Sequence, residues 1–163
     1  MCIRDRSGSE EWPIAIAALG PLMLKLAGER TQGALPYNVT PEHTTRAANI
    51  LGPHKWLAVE QKVCLETDAR RARALGRKEL ARYMVLENYR NCWLSLGFTE
   101  VDLAGGGSDR FIDAMVLWGE ATSVKDKLRT HFAAGATHVC IQPVHEEGDS
   151  TERDRILAAL ADT

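Results

Sequence analysis

Pro13-Ile14-Ala15-Ile16-Ala17-Ala18-Leu19-Gly20-Pro21-Leu22-Met23-Leu24-Lys25-Leu26-Ala27-Gly28-Glu29 decides the fold of this chain. Residues 13–19 are an apolar run of strand length with no alternation, which suits a parallel strand covered on both faces. Gly20 allows a sharp turn and lets a ligand approach bare backbone. Pro21 fits the first helical position, where a missing N–H costs nothing. Leu22, Leu24, Leu26 and Ala27 then supply helix-forming, mostly apolar positions. The free N–H groups at the start of that helix would face out at the carboxyl end of the strand, a ready site for an anion such as phosphate. A plain βα unit with no ligand accounts for the same residues, and both alternatives stay open at this point. A second short strand, Gly33-Ala34-Leu35-Pro36-Tyr37, follows closely. Strand, helix and strand at this spacing point to a parallel α/β sheet or barrel.

The chain has 163 residues, room for one domain with a real core. Hydrophobic residues make up 45% and charged residues 26%, the balance of a globular protein. A net charge of -2 gives no electrostatic footprint for nucleic acid or an anionic membrane surface. No apolar run reaches transmembrane length, and residues 1–11 carry no hydrophobic signal-peptide core. The four cysteines, Cys2, Cys64, Cys92 and Cys140, form no Cys-x-x-Cys pair. Cys64 and Cys140 fall in apolar strand-like runs, as buried reduced thiols do. No metal or disulfide is expected, and the expected compartment is cytoplasmic.

Residues 1–11 are polar and aperiodic and contain a Ser-Gly-Ser linker. They read as a translated adaptor scar, which leaves residues 12–163 as the domain. Thr40 should cap a helix that starts at Pro41, has His43 in its first turn and stops at Gly52-Pro53. Residues 56–65 form the third strand. Leu57, Val59, Val63 and Leu65 alternate there with Glu60 and Lys62, for which internal pairing is the expectation. A long helix over 69–86 carries Arg70, Arg71, Arg73 and Arg77 on what reads as a solvated face. Another covers 88–98 and closes at Gly97. A loop with Gly105, Gly106 and Gly107 leads to a helix over 110–118 capped by Ser108 or Asp109. A helix over 125–134, the fourth strand at 137–143 and a closing helix over 153–161 complete the chain. This is an α/β pattern of four parallel βα units with extra helices inserted before the last strand. A whole (β/α)8 barrel takes about 250 residues. The alternatives are a small open sheet and the C-terminal half of a truncated TIM barrel.

The opening stretch together with Gly33-Ala34-Leu35-Pro36-Tyr37 resembles the second half of the luciferase-like monooxygenases, most closely their coenzyme F420-dependent oxidoreductase branch. Thr40-Pro41-Glu42-His43, Leu65-Glu66-Thr67-Asp68, Asn88-Tyr89-Arg90-Asn91, Gly107-Ser108-Asp109-Arg110 and Ala134-Gly135-Ala136-Thr137-His138-Val139 extend the match over roughly residues 12–145. The order and spacing of these segments carry the resemblance, since no one of them is very specific.

The resemblance implies a TIM (β/α)8 barrel, with these strands as its fifth to eighth. It also implies hydride transfer between coenzyme F420 and an organic small-molecule substrate, in a cytoplasmic homo-oligomer. FMN is the alternative cofactor, in a monooxygenase, and a non-catalytic half-barrel that associates with another chain is the third reading. By resemblance Ala18, Leu19, Gly20 and Pro21 contact the cofactor's phosphate tail, with Gly33, Ala34 and Leu35 alongside and Arg110 as a charged contact. The family often places Asp before the second-strand glycine, where this chain has Gln32. The ring-binding and substrate-handling groups belong to the family's first four strands. No catalytic residue is therefore assigned here. His43, His138 and Glu60 are the acid–base candidates among the residues present.

Overall fold

The computed structural model describes residues 12–161, so the reading of residues 1–11 as a foreign tail lies outside them. The chain runs β1 (Ala15–Ile16), α1 (Pro21–Arg30), β2 (Gly33–Ala34), α2 (Pro41–Leu51), β3 (Trp56–Cys64), α3 (Ala69–Met84), α4 (Glu87–Ser95), α5 (Glu100–Leu103), a 3-10 turn (Ala104–Gly106), α6 (Asp109–Met115), β4 (Val116–Trp118), α7 (Ala121–Ala133), β5 (His138–Pro143) and α8 (Ser150–Leu160). Every strand pairing is parallel.

β3 is the axis of the sheet, and the direction of its backbone groups sorts its neighbours. The N–H of Glu60 donates to Pro36 O, and Cys64 O accepts from Gly119 N–H, so β2 and β4 share one edge. Leu57 O accepts from Thr137 N–H and Val63 O from Val144 N–H, so β5 takes the other. Side chains alternate across the faces. Leu57, Val59 and Val63 pack beneath the helices. Glu60 and Lys62 lie on the opposite, inner face, as their alternation with apolar residues requires.

The first two ladders are shorter than the apolar runs that contain them. Gln32 lengthens the β1–β2 pairing, because its Oε1 accepts from Ile14 N–H at 2.8 Å. The expected caps at Thr40 and Ser108 form, their side chains accepting from the N–H groups of His43 and Phe111, and Asp68 caps α3 by accepting from Arg71 N–H.

Four local expectations are corrected. Val116–Trp118 is a strand and not the end of a helix, because it pairs with Lys62–Cys64, where β2 has already ended. Cys140 is exposed, since Val139 and Ile141 face the helices and the alternation turns Cys140 to the inner face. The arginine run on α3 is not merely solvated. Arg73 forms a bidentate pair with Asp113 and a 2.8 Å bond to Asp109, while Arg77 binds Gly107 O and Asp109, which ties α3 to α6. Gly20 makes no special turn: its φ of -85° is available to any residue.

Candidate functional site

The N-terminus of α1 lacks a side-chain cap and has no acidic residue in its first turn. The Leu22 and Met23 N–H groups there have no intrahelical acceptor, and the helix dipole adds partial positive charge. Leu19, Gly20 and Pro21 line a cavity of about 490 Å³ at this point, together with Leu24, His43, Arg46, Ile50, Asn88, Asn91, Cys92 and Ser95. α2 contributes His43, Arg46 and Ile50, whose spacing places them on one helical face. α4 contributes the two asparagines. A Cβ built on Gly20 meets nothing within 4 Å, so the glycine leaves space rather than relieving strain.

His43 is buried, and its Nε2 lies 2.8 Å from Leu19 O. A carbonyl only accepts, so Nε2 carries the hydrogen and Nδ1 presents a bare lone pair. Among the described residues Nδ1 has no hydrogen-bond partner, and it is sealed from solvent. Burial pushes the ring's pKa down and keeps it neutral. Burial also pushes the Cys92 thiol up to about 11, so it faces the cavity as a weak, protonated group. The cavity thus offers the Arg46 guanidinium, helix N–H donors and the amide groups of Asn88 and Asn91. That set suits a phosphate joined to a hydroxyl-bearing chain.

The other residues assigned by resemblance lie elsewhere. Ala18 and Ala34 are core residues, 3% and 0% exposed. Gly33 is packed under β3, where an added Cβ would stand 2.0 Å from Trp56 O, so this glycine answers to strand packing. Leu35 is exposed outside the cavity. Arg110 is also outside its lining. It bonds Asp102 at 2.8 Å and lies over the Phe98 ring. His138 is exposed beside Thr137 and Trp56.

A second constellation occupies the inner face at the carboxyl ends of β2, β3 and β5. Lys62 is fully buried, and its Nζ donates to Glu60 Oε1 at 3.0 Å and to the Tyr37 hydroxyl at 3.1 Å. The expected internal pairing of Glu60 is therefore present. Glu60 Oε2 accepts from Asn38 N–H at 3.1 Å. Burial pushes Glu60 up and Lys62 down, and each opposes the shift of the other. Tyr37 also contacts the Tyr83 hydroxyl at 3.0 Å and Gln142 Oε1, while Gln142 Nε2 donates to Glu79. Burial holds the Tyr37 phenol far above the ordinary tyrosine range, so it stays protonated.

Sequence reasoning missed Arg46 and Tyr83. The i, i+3 spacing of His43 and Arg46 was a usable signal for the first, whereas nothing local marked the second.

No protein-family model matches this chain, and no curated protein matches it as a sequence relative. Solved structures do match in fold. An F420-dependent secondary alcohol dehydrogenase in complex with an F420–acetone adduct superposes with a TM-score of 0.64 at 14% identity, over 93% of this chain and 50% of that one. The coenzyme F420-dependent tetrahydromethanopterin reductase from Methanopyrus kandleri gives 0.58 at 18% identity, over 90% and 49%. The oxygenating constituent of 3,6-diketocamphane monooxygenase from Pseudomonas putida, in complex with FMN, gives 0.59 at 17% identity, over 92% and 47%. The chain therefore has the α/β fold of about half of each of these proteins.

Proposed function

We propose that this chain is the cofactor-tail half of a deazaflavin- or flavin-dependent oxidoreductase of the luciferase-like type, with coenzyme F420 as the first candidate. One observation carries this reading: Leu19, Gly20 and Pro21 converge with Arg46, Asn88 and Asn91 on a single cavity at an uncapped helix N-terminus. The fold likeness supports it, because two of the matched structures are named as F420-dependent enzymes.

Leu22 and Met23 N–H groups and Arg46 would hold the phosphate. Asn88 and Asn91 would bond the polar atoms of the adjoining chain. Leu24 and Ile50 keep the wall of this cavity apolar, which limits water there and strengthens the charged contacts. When bound, the deazaflavin ring supplies hydride chemistry, and this half of the molecule anchors and orients it. FMN is the second reading, supported by the monooxygenase structure that holds it.

Fluorescence titration of the full chain with F420 and with FMN tests the assignment. F420 should bind more tightly, and Gly20→Val should weaken it by about tenfold, roughly 1.4 kcal/mol. The valine side chain would enter the cavity without a clash of its Cβ. Tighter binding of FMN selects the second reading. Binding of neither, or no effect of Gly20→Val, refutes the tail site.

A further inference from the structure

We propose that the inner face of the sheet and its two open edges form one interface, that its occupant is a second copy of this chain, and that the pair closes an eight-stranded parallel barrel. The proposal goes beyond the cofactor reading and does not depend on it.

The sheet is open at both sides. Among the described residues, β1 pairs only with β2 and β5 only with β3, so each leaves one edge without a strand. The Ile14 and Ile16 carbonyls turn toward β2, where they accept from the Gln32 and Leu35 N–H groups. Alternation therefore turns the Ala15 N–H and C=O to the open side. Edges of this kind take up another strand unless charge, proline or cover blunts them.

Exposed apolar side chains gather on the same surfaces. The register sets Leu35 and Trp56 on the inner face with Glu60, and they are 42% and 44% exposed. β5 adds His138 and Cys140 to that face, both exposed. On the outside, α1 follows one open strand and exposes Leu22 and Leu26, one turn apart, while α8 follows the other and exposes Leu157. Contiguous apolar surface of this extent marks an interaction site.

The occupant must cover the inner face and supply a parallel strand at each edge. An added peptide strand meets one edge and leaves the other open. A second copy meets both. A half-turn about an axis along the strands sets its β5 beside β1 and its β1 beside β5, with every strand still parallel. One closed two-fold operator thus satisfies both edges. β1, β2, β3 and β5 of each copy then make eight strands, the number at which inward side chains fill a barrel. Charge allows the face to meet itself, because the Lys62 ammonium is held at 3.0 Å by Glu60 of its own copy and opposes its twin as a neutral pair. The extent also agrees: the chain has the fold of about half of each matched structure, so two copies supply one whole.

The test is the mass of the full chain in solution, read by sedimentation equilibrium and light scattering. It should be about twice the 18.0 kDa of one copy. β2 and its twin lie four strands apart around the ring, so Leu35 faces Leu35 across the axis. Leu35→Glu alone and Leu35→Lys alone should each halve the mass, and an equimolar mixture of the two should restore it. Leu35 is exposed in a single copy, so both variants should keep the circular dichroism of the fold. If they fail to fold, Cys140→Glu on β5 decides in their place by the same loss of mass. Val101→Glu, at a residue 81% exposed on α5, should leave the dimer intact. A monomeric wild-type chain overturns the proposal and leaves the face to a different half-barrel. An open-ended series of sizes, dimers from both Leu35 variants, or a mixture that stays monomeric overturns it equally. Cofactor titration is read apart from mass: a dimer that binds neither F420 nor FMN sinks the cofactor reading alone, and a monomer that binds either sinks the closure alone.

Discussion

Gly33→Ala should unfold this protein far more readily than Gly20→Ala, although both glycines fall in the same resembling motif. An alanine Cβ at position 33 would sit 2.0 Å from Trp56 O and 2.6 Å from Trp56 Cβ. Ordinary contact needs about 3.5 Å, so β2 must retreat from β3 by roughly 1.5 Å. That shift breaks the 2.8 Å bond from Trp56 N–H to Gln32 O. Overpacking of this kind costs about 2 kcal/mol, and a lost backbone bond about 1 kcal/mol more. The sum is about 3 kcal/mol. At position 20 the new methyl meets nothing, and φ is -85°. Reduced freedom of the unfolded chain stabilises by roughly 0.5 kcal/mol, and loss of a glycine N-cap offsets a few tenths of a kcal/mol. The net change is therefore near zero. Urea unfolding followed by tryptophan fluorescence reads both. With a slope of about 2 kcal/mol per molar, Gly33→Ala should lower the midpoint by about 1.5 M and Gly20→Ala should leave it in place. A Gly33→Ala protein within about 1 kcal/mol of wild type, or equal damage from the two substitutions, would refute the assignment of Gly33 to packing and Gly20 to open space.

Two further outcomes follow from buried titratable groups. His131 is 1% exposed, bonded to Thr44 Oγ1 and Gln61 Oε1, and burial lowers its pKa from 6.5 to about 4. The unfolded chain therefore binds a proton between those values that the folded chain refuses. Stability from this group is full above pH 6.5 and is lost as pH falls to about 4, by about 3 kcal/mol at most, at 1.36 kcal/mol per unit. His131→Gln should flatten most of that slope in unfolding measurements from pH 7 to 4.5, and an unchanged slope would exclude His131 as its source. Lys62→Met, which strands Glu60 without its ammonium, should lose about 4 kcal/mol, and adding Glu60→Gln should recover more than half. Strict additivity in that double-mutant cycle, read by the same urea assay, would show that the two groups are not coupled.

What the sequence made legible is what its local chemistry encodes. Thr40 and Ser108 were readable as caps because each bonds an N–H three residues on. Glu60 and Lys62 were readable as one face because a strand has a period of two. β4 was not readable, because Val116–Trp118 becomes a strand only through an edge of β3 left vacant where β2 ends. The arginine pairs that join α3 to α6 were not, because they depend on the crossing of those helices and not on spacing along either one. The run Val139-Cys140-Ile141 hid the exposure of Cys140. An unbroken apolar run implies cover on both faces, and only one face of β5 packs against helices here.

The same distinction governs the two candidate sites. Gly20 could be placed at a helix start from its neighbours in sequence, but of its two expected roles the sharp turn is absent, since its φ is -85°. The space at Gly20 matters because α2 brings His43 and Arg46 to it from more than twenty residues away. Lys62 and Tyr83 meet Tyr37 across separations of 25 and 46 residues, so no motif length holds them. Only the parallel register of β2, β3 and β5 makes one cluster of these groups, because it aligns the carboxyl ends of three strands that the sequence separates with helices. A substitution that moves that register, such as Gly33→Ala, should therefore disturb Tyr37 and the Lys62 ammonium at a distance. Gly20→Val, which leaves the register alone, should weaken cofactor binding and leave the urea midpoint in place.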